Sequence, residues 1–406
     1  MQRGNTQIDR RTVLRNLALG VGGGLGLASV PAFAQIAGHV GNFEIASVEA
    51  FAVPSAIFVK ITANDGTTGW GEAGHSGGKL VADVIRREIA PLYEGEDVFD
   101  GYGLWAKGYY EVDELGPGGL ASQALAGVDC ALWDLRGKLL GLPVWALLGG
   151  KVRSSFPVYG SFSRNQGSDG LMGPDEAARR AAEMMEEGFR AIKVRMAIRE
   201  EGVDPVDDPT MPVARAVRQA IGDDVPLYVD ANNGYRAARA IVIGKALYEE
   251  LGVEVFEEPC AMHHYASTRA VSDACDIMVA NGEHEYTPFA FRDLIEQARP
   301  DLLNPDVSKL SGLTPGIMVA SMAYVHDLPI SVHNARPTLL SAAHTHFVAW
   351  AETANRTQEH PGAIRLASLW DYFEDRMLPV DGIMQVPETP GLGLTPIEER
   401  IRADAS

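Results

Sequence analysis

The stretch "FRAIKVRM", residues 189–196, decides the architecture. It is a short apolar run with Lys193 and Arg195 two positions apart, so on a β-strand both point to one side. Lys and Arg are almost never fully buried unless paired, and two cations at one strand end call for an anion nearby. Downstream the texture repeats: short apolar strands alternate with helical stretches, the pattern of βα units around a parallel sheet. Eight strand candidates are legible, at 157–161, 191–195, 227–230, 253–257, 277–281, 302–304, 330–333 and 347–351. A helix is expected at 235–251, with Ala237, Ile241, Gly244, Tyr248 and Leu251 along one stripe. Eight such units predict a (β/α)8-type barrel.

Chemistry in such barrels sits at the C-terminal strand ends. Read in order, those ends carry Lys193 with Arg195, Asp230, Glu257, Glu283, Asp306, His333 and Glu352, in steps of 19 to 37 residues, about one βα unit each. Asp230, Glu257 and Glu283 on adjacent strands would repel one another strongly in a low-dielectric mouth. A hard divalent cation relieves this, and carboxylates with no interleaved Cys or His suit Mg²⁺ better than Zn²⁺. Any one of the acids fits a cap on the next helix as readily as a ligand; three in successive units point to a metal. Asp306 precedes His333 by one unit, and a carboxylate beside an imidazole fixes its tautomer and raises its basicity, making a general base. His284 follows Glu283 and is expected either to touch substrate or to fill the mouth. His263, His264, His344 and His346 read as ordinary surface or helix residues.

Before residue 156 the chain reads differently. Residues 47–74 alternate like antiparallel strands around turns at Asn64-Asp65-Gly66 and Thr68-Gly69, and Ala121–Leu140 is strongly helical, stopped by Gly141-Leu142-Pro143. The N-terminus reads as a targeting segment. Arg10 and Arg11 stand in tandem, a weakly apolar run spans 17–30, and Ala32-Phe33-Ala34 offers a cleavage site. A run of that length is short of the ~20 residues needed to cross a bilayer, so export to the periplasm by the twin-arginine route is expected. Loss of residues 1–34 removes four Arg and one Asp and takes the formal charge from −19 to −22. Such an acidic chain argues against nucleic acid or an anionic membrane surface as partner. Three cysteines without C-x-x-C spacing, Cys130, Cys260 and Cys275, read as packed thiols.

At this point a resemblance is specific. "GVDCALWDLRGKLLGLPVWALLGG" (127–150), "IKVR", "VDANNGY", "FEEP", "NGE", "NPDVSKLSGLT" and "SVHN" resemble the enolase superfamily, and within it the mandelate racemase-like branch, over nearly the whole chain after the leader. The resemblance implies an α/β modified TIM barrel, (β/α)7β, at 151–364. It also implies an α+β capping domain at 35–150, with a tail from about 365 to 406 packing back on it. It implies one Mg²⁺ on Asp230, Glu257 and Glu283, and a reaction that begins by removing the proton α to a carboxylate. It makes Asp306 and His333 the base dyad and Lys193 a partner of the growing charge. Glu352, as a protonated donor, would hydrogen-bond the substrate carboxylate, and Asn232 would touch substrate.

Many relatives place a second Lys where Arg195 stands. Arg keeps its proton, with a free-base fraction below ~10⁻⁴ at neutral pH, so Arg195 is better suited to hold oxygens as a fixed fork. One good base remains, His333, and one base suffices for β-elimination. Dehydration of an acid sugar is the leading expectation; a racemase, epimerase or cycloisomerase and a non-catalytic sugar-acid binder are the alternatives. The short segment "AFAVPSAIFV" (50–59) leaves specificity to "GEAGHSGG" (71–78), including His75, and an acidic insertion, "REEGVDPVDDP" (199–209), reads as a solvated loop. A small-molecule carboxylate is the expected partner, and a homo-oligomer the expected assembly.

Overall fold

The computed structural model describes residues 43–405 apart from 75–76, 117, 168 and 363–365. The expected leader, 1–34, and His75 therefore lie outside the described residues. Three antiparallel strands open the fold: β1 (Ile45–Val53), β2 (Ala56–Ala63) and β3 (Thr68–Ala73). The β2–β3 turn forms because Gly66 takes φ +90 and Asp65 Oδ1 accepts the Thr67 N–H at 2.9 Å. After helix α1 (Gly101–Val112), helix α2 (Leu120–Leu140) lies against this sheet and ends where Gly141 turns left-handed, φ 65. The approach of α2 to β3 is close. A Cβ on Gly71 would sit 2.2 Å from the Gly127 carbonyl oxygen, so only glycine fits there.

The second sheet is parallel along the path β10-β4-β5-β6-β7-β8-β9. Its strands are β4 (Ser155–Ser163), β5 (Ile192–Arg195), β6 (Leu227–Asp230), β7 (Val255–Glu257), β8 (Met278–Asn281), β9 (Leu302–Leu303) and β10 (Gln358–His360). Helices α3 (Pro174–Glu186), α4 (Thr210–Ile221), α5 (Ala237–Leu251), α6 (Tyr265–Ser272), α7 (Leu313–Val325) and α8 (Leu339–Trp350) cover it. Alternation sorts the strand residues. Val194, Val229, Phe256 and Val279 join the core under the helices, while Tyr159, Tyr228, Val255, Ala280 and Leu302 form a separate cluster inside the bore. The buried face of α5 is Ala240, Ile243, Gly244 and Leu247, rotated from the expected stripe; Tyr248 is 45% exposed. That helix has apolar residues on more than one side, and the sheet chose between them.

Closure differs from the expectation at one place. Residues 347–351 are not a strand; they end α8 and the turn after it. The run "FVAWA" is apolar enough for either state, and length alone did not separate them. The closing strand is instead β10, which pairs in parallel with β4. On its other side the seventh position is marked by a single bridge, Leu303 to Ile330. There side chains replace a ladder: the Gln358 amide donates to the Ile330 carbonyl (3.0 Å) and accepts the Val332 N–H (2.8 Å), and Glu359 accepts the Asn334 N–H (2.8 Å).

The tail touches both layers. Strand β11 (Ile383–Gln385) pairs antiparallel with β4, while Glu398 binds Lys60 of β2 at 2.7 Å and Phe58 packs on Tyr372 and Phe373. All three cysteines are free thiols, with Cys130 and Cys260 buried.

Candidate active site

A cavity of about 400 Å³ opens at the C-terminal ends of the parallel strands, roofed by Gly74, Gly119 and Gln123 of the capping layer. Register builds its floor. Arg195 stands opposite Asp230 on β5 and β6, and Asp230 opposite Glu257 on β6 and β7. Glu283 follows β8 through Gly282, whose φ is +133 and where a Cβ would sit 2.9 Å from the Phe291 ring, so a side chain is excluded. Asp230, Glu257 and Glu283 are all buried, and each offers an oxygen within 4.8 Å of the others.

These three carboxylates fit a hard cation. Burial, with Glu283 and Glu258 adding to it, pushes the Asp230 carboxyl up to about 7. Burial likewise raises Glu257, against the pull of Lys193. For Glu283 burial acts in the same sense, but His333, Lys309 and His284 together hold it well below the usual carboxylate range. Three buried carboxylates in contact resist simultaneous ionisation unless positive charge joins them, and the donor set is all oxygen.

Lys193 is buried and gives its ammonium to Glu257 at 2.8 and 2.9 Å and to Glu359 at 3.0 Å. Burial lowers its proton affinity, yet the two carboxylates more than reverse this and keep it charged. Arg195 lies on the cavity wall, hydrogen-bonded to Ser163 Oγ (3.1 Å), Glu200 (3.1 Å) and the Asn232 side-chain oxygen. The acidic insertion thus serves the wall: Glu200 neutralises Arg195, and Asp208 accepts from Tyr235 and Arg239. Asn232 is brought to the site by a positive-φ turn shared with Asn233 (φ 48 and 64).

His333 and Asp306 form the expected dyad, Nδ1 to Oδ2 at 2.7 Å. The other imidazole nitrogen, Nε2, is 3.1 Å from Glu283 Oε2 and faces the cavity. Burial lowers the imidazole's proton affinity, but Glu283, Glu359 and Asp306 raise it overall. His344 is not a surface residue: it is buried on α8, accepts the Val307 N–H at 3.1 Å and stands 3.6 Å from Asp306, supporting the dyad from behind. His346 is buried too and accepts the Trp145 N–H at 3.1 Å. His263 and His264 are exposed.

His284 lines the cavity, its Nδ1 2.6 Å from Glu258. Glu258, the second acid of "FEEP", is fully buried at φ 42, a conformation rare outside glycine, and also accepts from Asn233 Nδ2 at 2.7 Å. Its partners hold it there, and neither its strain nor its role is readable from composition.

Glu352 is displaced from the expected set. It is exposed in a separate cleft with Asp327, Leu328, Pro329, Thr353, Asn355 and Arg356, away from the catalytic cavity. The acid that the closing strand brings to the site is Glu359 of β10. The difference follows from the closing strand: expected at 347–351 and found at Gln358–His360, it puts its carboxylate seven residues later, at Glu359. Burial favours the neutral form of Glu359, but Lys193, His333 and the Ser161 and Asn334 hydrogen bonds hold it ionised. It therefore anchors Lys193 as an anion instead of serving as a protonated donor.

Two further wall residues went unassigned. Lys309, inside the quoted "NPDVSKLSGLT", stands 3.3 Å from Glu283. Arg336 is three residues past His333 and reaches the capping layer, donating to Glu72 Oε1 at 2.9 Å and to the Ser55 carbonyl. Glu72 also accepts from Thr338 at 2.7 Å, so a fully buried capping-layer acid ties down the loop that follows His333.

Residues 43–149 match the family described as mandelate racemase / muconate lactonizing enzyme, N-terminal domain, and residues 176–400 match enolase C-terminal domain-like. A D-galactarolactone cycloisomerase from Agrobacterium fabrum is 31% identical over 365 residues, covering 87% of this chain and 91% of that one. An arabinonate dehydratase from Saccharolobus solfataricus is 29% identical, over 84% of this chain and 87% of its own. A solved mandelate racemase/muconate lactonizing protein from Paracoccus denitrificans, complexed with magnesium, is 36% identical. It superposes with a TM-score of 0.83 over 90% of this chain and 98% of its own. The two matched domains together span most of the described residues, and the chain belongs to the enolase superfamily, in its mandelate racemase / muconate lactonizing enzyme branch.

Proposed function

We propose that this chain removes the proton α to the carboxylate of an acid sugar and eliminates the β-hydroxyl, giving a 2-keto-3-deoxy acid. The observation that carries the reading is the dyad of His333 on Asp306 at 2.7 Å, facing three metal-competent acids, with an arginine held by Glu200 on the cavity wall.

His333 Nε2 takes the α-proton while Asp306 holds Nδ1–H and the tautomer. The ring, now doubly protonated, returns that proton to the departing hydroxyl, so water leaves and the enol tautomerises to the 2-keto acid. Lys193, kept charged by Glu257 and Glu359, lies where negative charge grows on the substrate carboxylate and favours the transition state over the ground state. Asp230, Glu257 and Glu283 would hold Mg²⁺, which supplies Lewis-acid stabilisation of that charge. Arg195 and Asn232, fixed to each other, hold substrate oxygens, and His284, oriented by Glu258, presents its free edge to the cavity. Dehydratase names among the relatives support this chemistry, and the cycloisomerase names keep an elimination without net water loss as the second reading.

The test is a panel of aldonates, aldarates and their lactones incubated with and without Mg²⁺ in D₂O, read for 2-keto product and for deuterium at the α-carbon. Metal-dependent 2-keto acid from an open-chain aldonate or aldarate supports dehydration. Product only from lactones transfers the assignment to cycloisomerisation, and exchange with stereochemical scrambling alone transfers it to epimerisation. Export of the folded chain by the segment at 1–34 is part of the proposal; cell fractionation that leaves the chain cytoplasmic with its leader intact goes against it.

A further inference from the structure

Another cavity, of about 420 Å³, lies between the capping layer, where α1 and α2 line it, and barrel helix α7. Its walls are apolar and aromatic: Phe99, Tyr102 and Trp133 on one side, Leu147, Ile317 and Met318 on the other. Inside this lining sits one cation. Arg136 is 5% exposed, its Nε gives a 2.6 Å hydrogen bond to the Val98 carbonyl, and its Nη2 is buried with no hydrogen-bond partner. Among the described residues no carboxylate forms an ion pair with it. Of the acids whose charges reach it, Asp129 is engaged with the Thr314 N–H and hydroxyl and Asp97 with the Phe99 N–H, while Asp100 is exposed to solvent. Trp133 stacks under the guanidinium at 5.6 Å and gives its own N–H to Thr314.

A buried charge without a counter-charge is costly, and a buried donor without an acceptor adds to that cost. Among the described residues the other buried cations are satisfied: Lys193 pairs with two glutamates, Arg336 with Glu72 and Arg164 with Glu201, and Arg218, which has no ion pair, gives its guanidinium to four backbone carbonyls, whereas Arg136 leaves Nη2 without an acceptor. The volume is that of a small-molecule site, and a concave apolar lining around one fixed charge is how such sites are built. Arg presents a planar fork matched to a carboxylate, and the aromatic walls suit a flat ring. We propose that this cleft binds a small aromatic monocarboxylate, its carboxylate on Arg136 and its ring between Tyr102, Trp133 and Met318. The site is separate from the catalytic cavity, sharing no lining residue with it, and it joins the two layers of the fold.

The test uses the full chain in EDTA, so that no metal at the strand ends can take the probe. 2-Naphthoate is titrated against tryptophan fluorescence and against thermal unfolding, with 2-naphthamide as the neutral isostere. Naphthoate is expected to bind saturably and raise the Tm, with naphthamide and the Arg136→Met variant each at least about tenfold weaker, the loss of one charge-assisted hydrogen bond. Should Arg136→Met fail to fold, Tyr102→Ala, at an exposed aromatic wall, carries the same comparison with a smaller loss. Equal binding of acid and amide, unchanged binding by either variant, or no saturable binding in the millimolar range overturns the proposal. So does a concentration-dependent dimer that Arg136→Met dissociates while naphthoate does not compete, which would give the cleft to a second copy.

Discussion

Lys193 Nζ lies 3.0 Å from Glu359 Oε1, and both residues are buried in the strand-end cavity. The pair joins β5 to the closing strand β10 across β4, so the ammonium proposed to face substrate charge is held by a residue of the strand that closes the barrel. The consequence is a testable exchange of roles between two glutamates. Glu359→Gln is expected to lower kcat by about 10²-fold, the cost typical of removing one group that stabilises developing charge. Glu352→Gln, on the exposed cleft, is expected to stay within about twofold of wild type, as surface substitutions do. Steady-state assays of the two variants on the same acid sugar decide it; the opposite ranking would return Glu352 to the site.

Removing the lysine itself has a structural penalty. Lys193→Met leaves Glu257 and Glu359 buried without their cation, and breaking a buried pair from one side costs about 3–5 kcal/mol. Urea denaturation in the absence of divalent metal measures this directly. A loss below about 1 kcal/mol would mean that the two carboxylates had already found another partner.

The dyad predicts a separation of binding from chemistry. His333→Asn keeps a polar group beside Asp306 and loses the base. Deuterium exchange at the α-carbon is expected to fall by about 10²–10⁴-fold, while equilibrium binding of the substrate changes little. Exchange that survives in the variant would place the base elsewhere.

Chelation tests the acid trio. Turnover is expected to vanish in EDTA and to return with Mg²⁺, and Asp230→Asn is expected to weaken Mg²⁺ binding by calorimetry. Full activity in a chelator, or unchanged metal affinity in Asp230→Asn, removes the cation from the reading.

Stability should fall on mild acidification for a reason remote from catalysis. Burial lowers the pKa of His346 to about 4, and of His360 to about 4, against 6.5 for a free imidazole. Both therefore stay neutral in the fold while the unfolded chain takes up a proton at each. The stability this represents is complete above pH 6.5 and is lost as pH falls towards 4, by up to about 1.4 kcal/mol per pH unit for each histidine. His346→Asn offers an oxygen near the imidazole Nδ1 position to the Trp145 N–H and cannot titrate. The difference between wild-type and variant unfolding free energies at pH 7 and pH 5 should shrink at the lower pH; a pH-independent difference contradicts the assignment.

What was legible beforehand follows a physical line. Asp230, Glu257, Glu283, Asp306 and His333 stand at the ends of short apolar strands, so the sequence spacing of one βα unit already placed them on one rim. Gly141, past the end of α2, is a local conformational demand and could be read locally. Glu359 was not legible, because β10 is a three-residue strand of polar residues, "QEH", whose inward acid is stabilised by Lys193, His333, Ser161 and Asn334 from other segments. Glu258 was hidden for the same reason: its partners Asn233 and His284 arrive from two other loops. The capping-layer acid Glu72 and its hold on Arg336 join residues far apart in the chain, a contact that no periodicity announces.

The amino-acid order by itself determined the alternation of strands and helices, the rim of acids and a histidine one unit after an aspartate on that rim, since each depends on periodicity and on residue chemistry at neighbouring positions. Tertiary structure alone decided which strand closes the barrel, which glutamate faces Lys193, and where a buried arginine is left without a counter-charge. Those outcomes depend on the dielectric and the neighbours that distant segments bring together, and such surroundings exist only once the chain has folded.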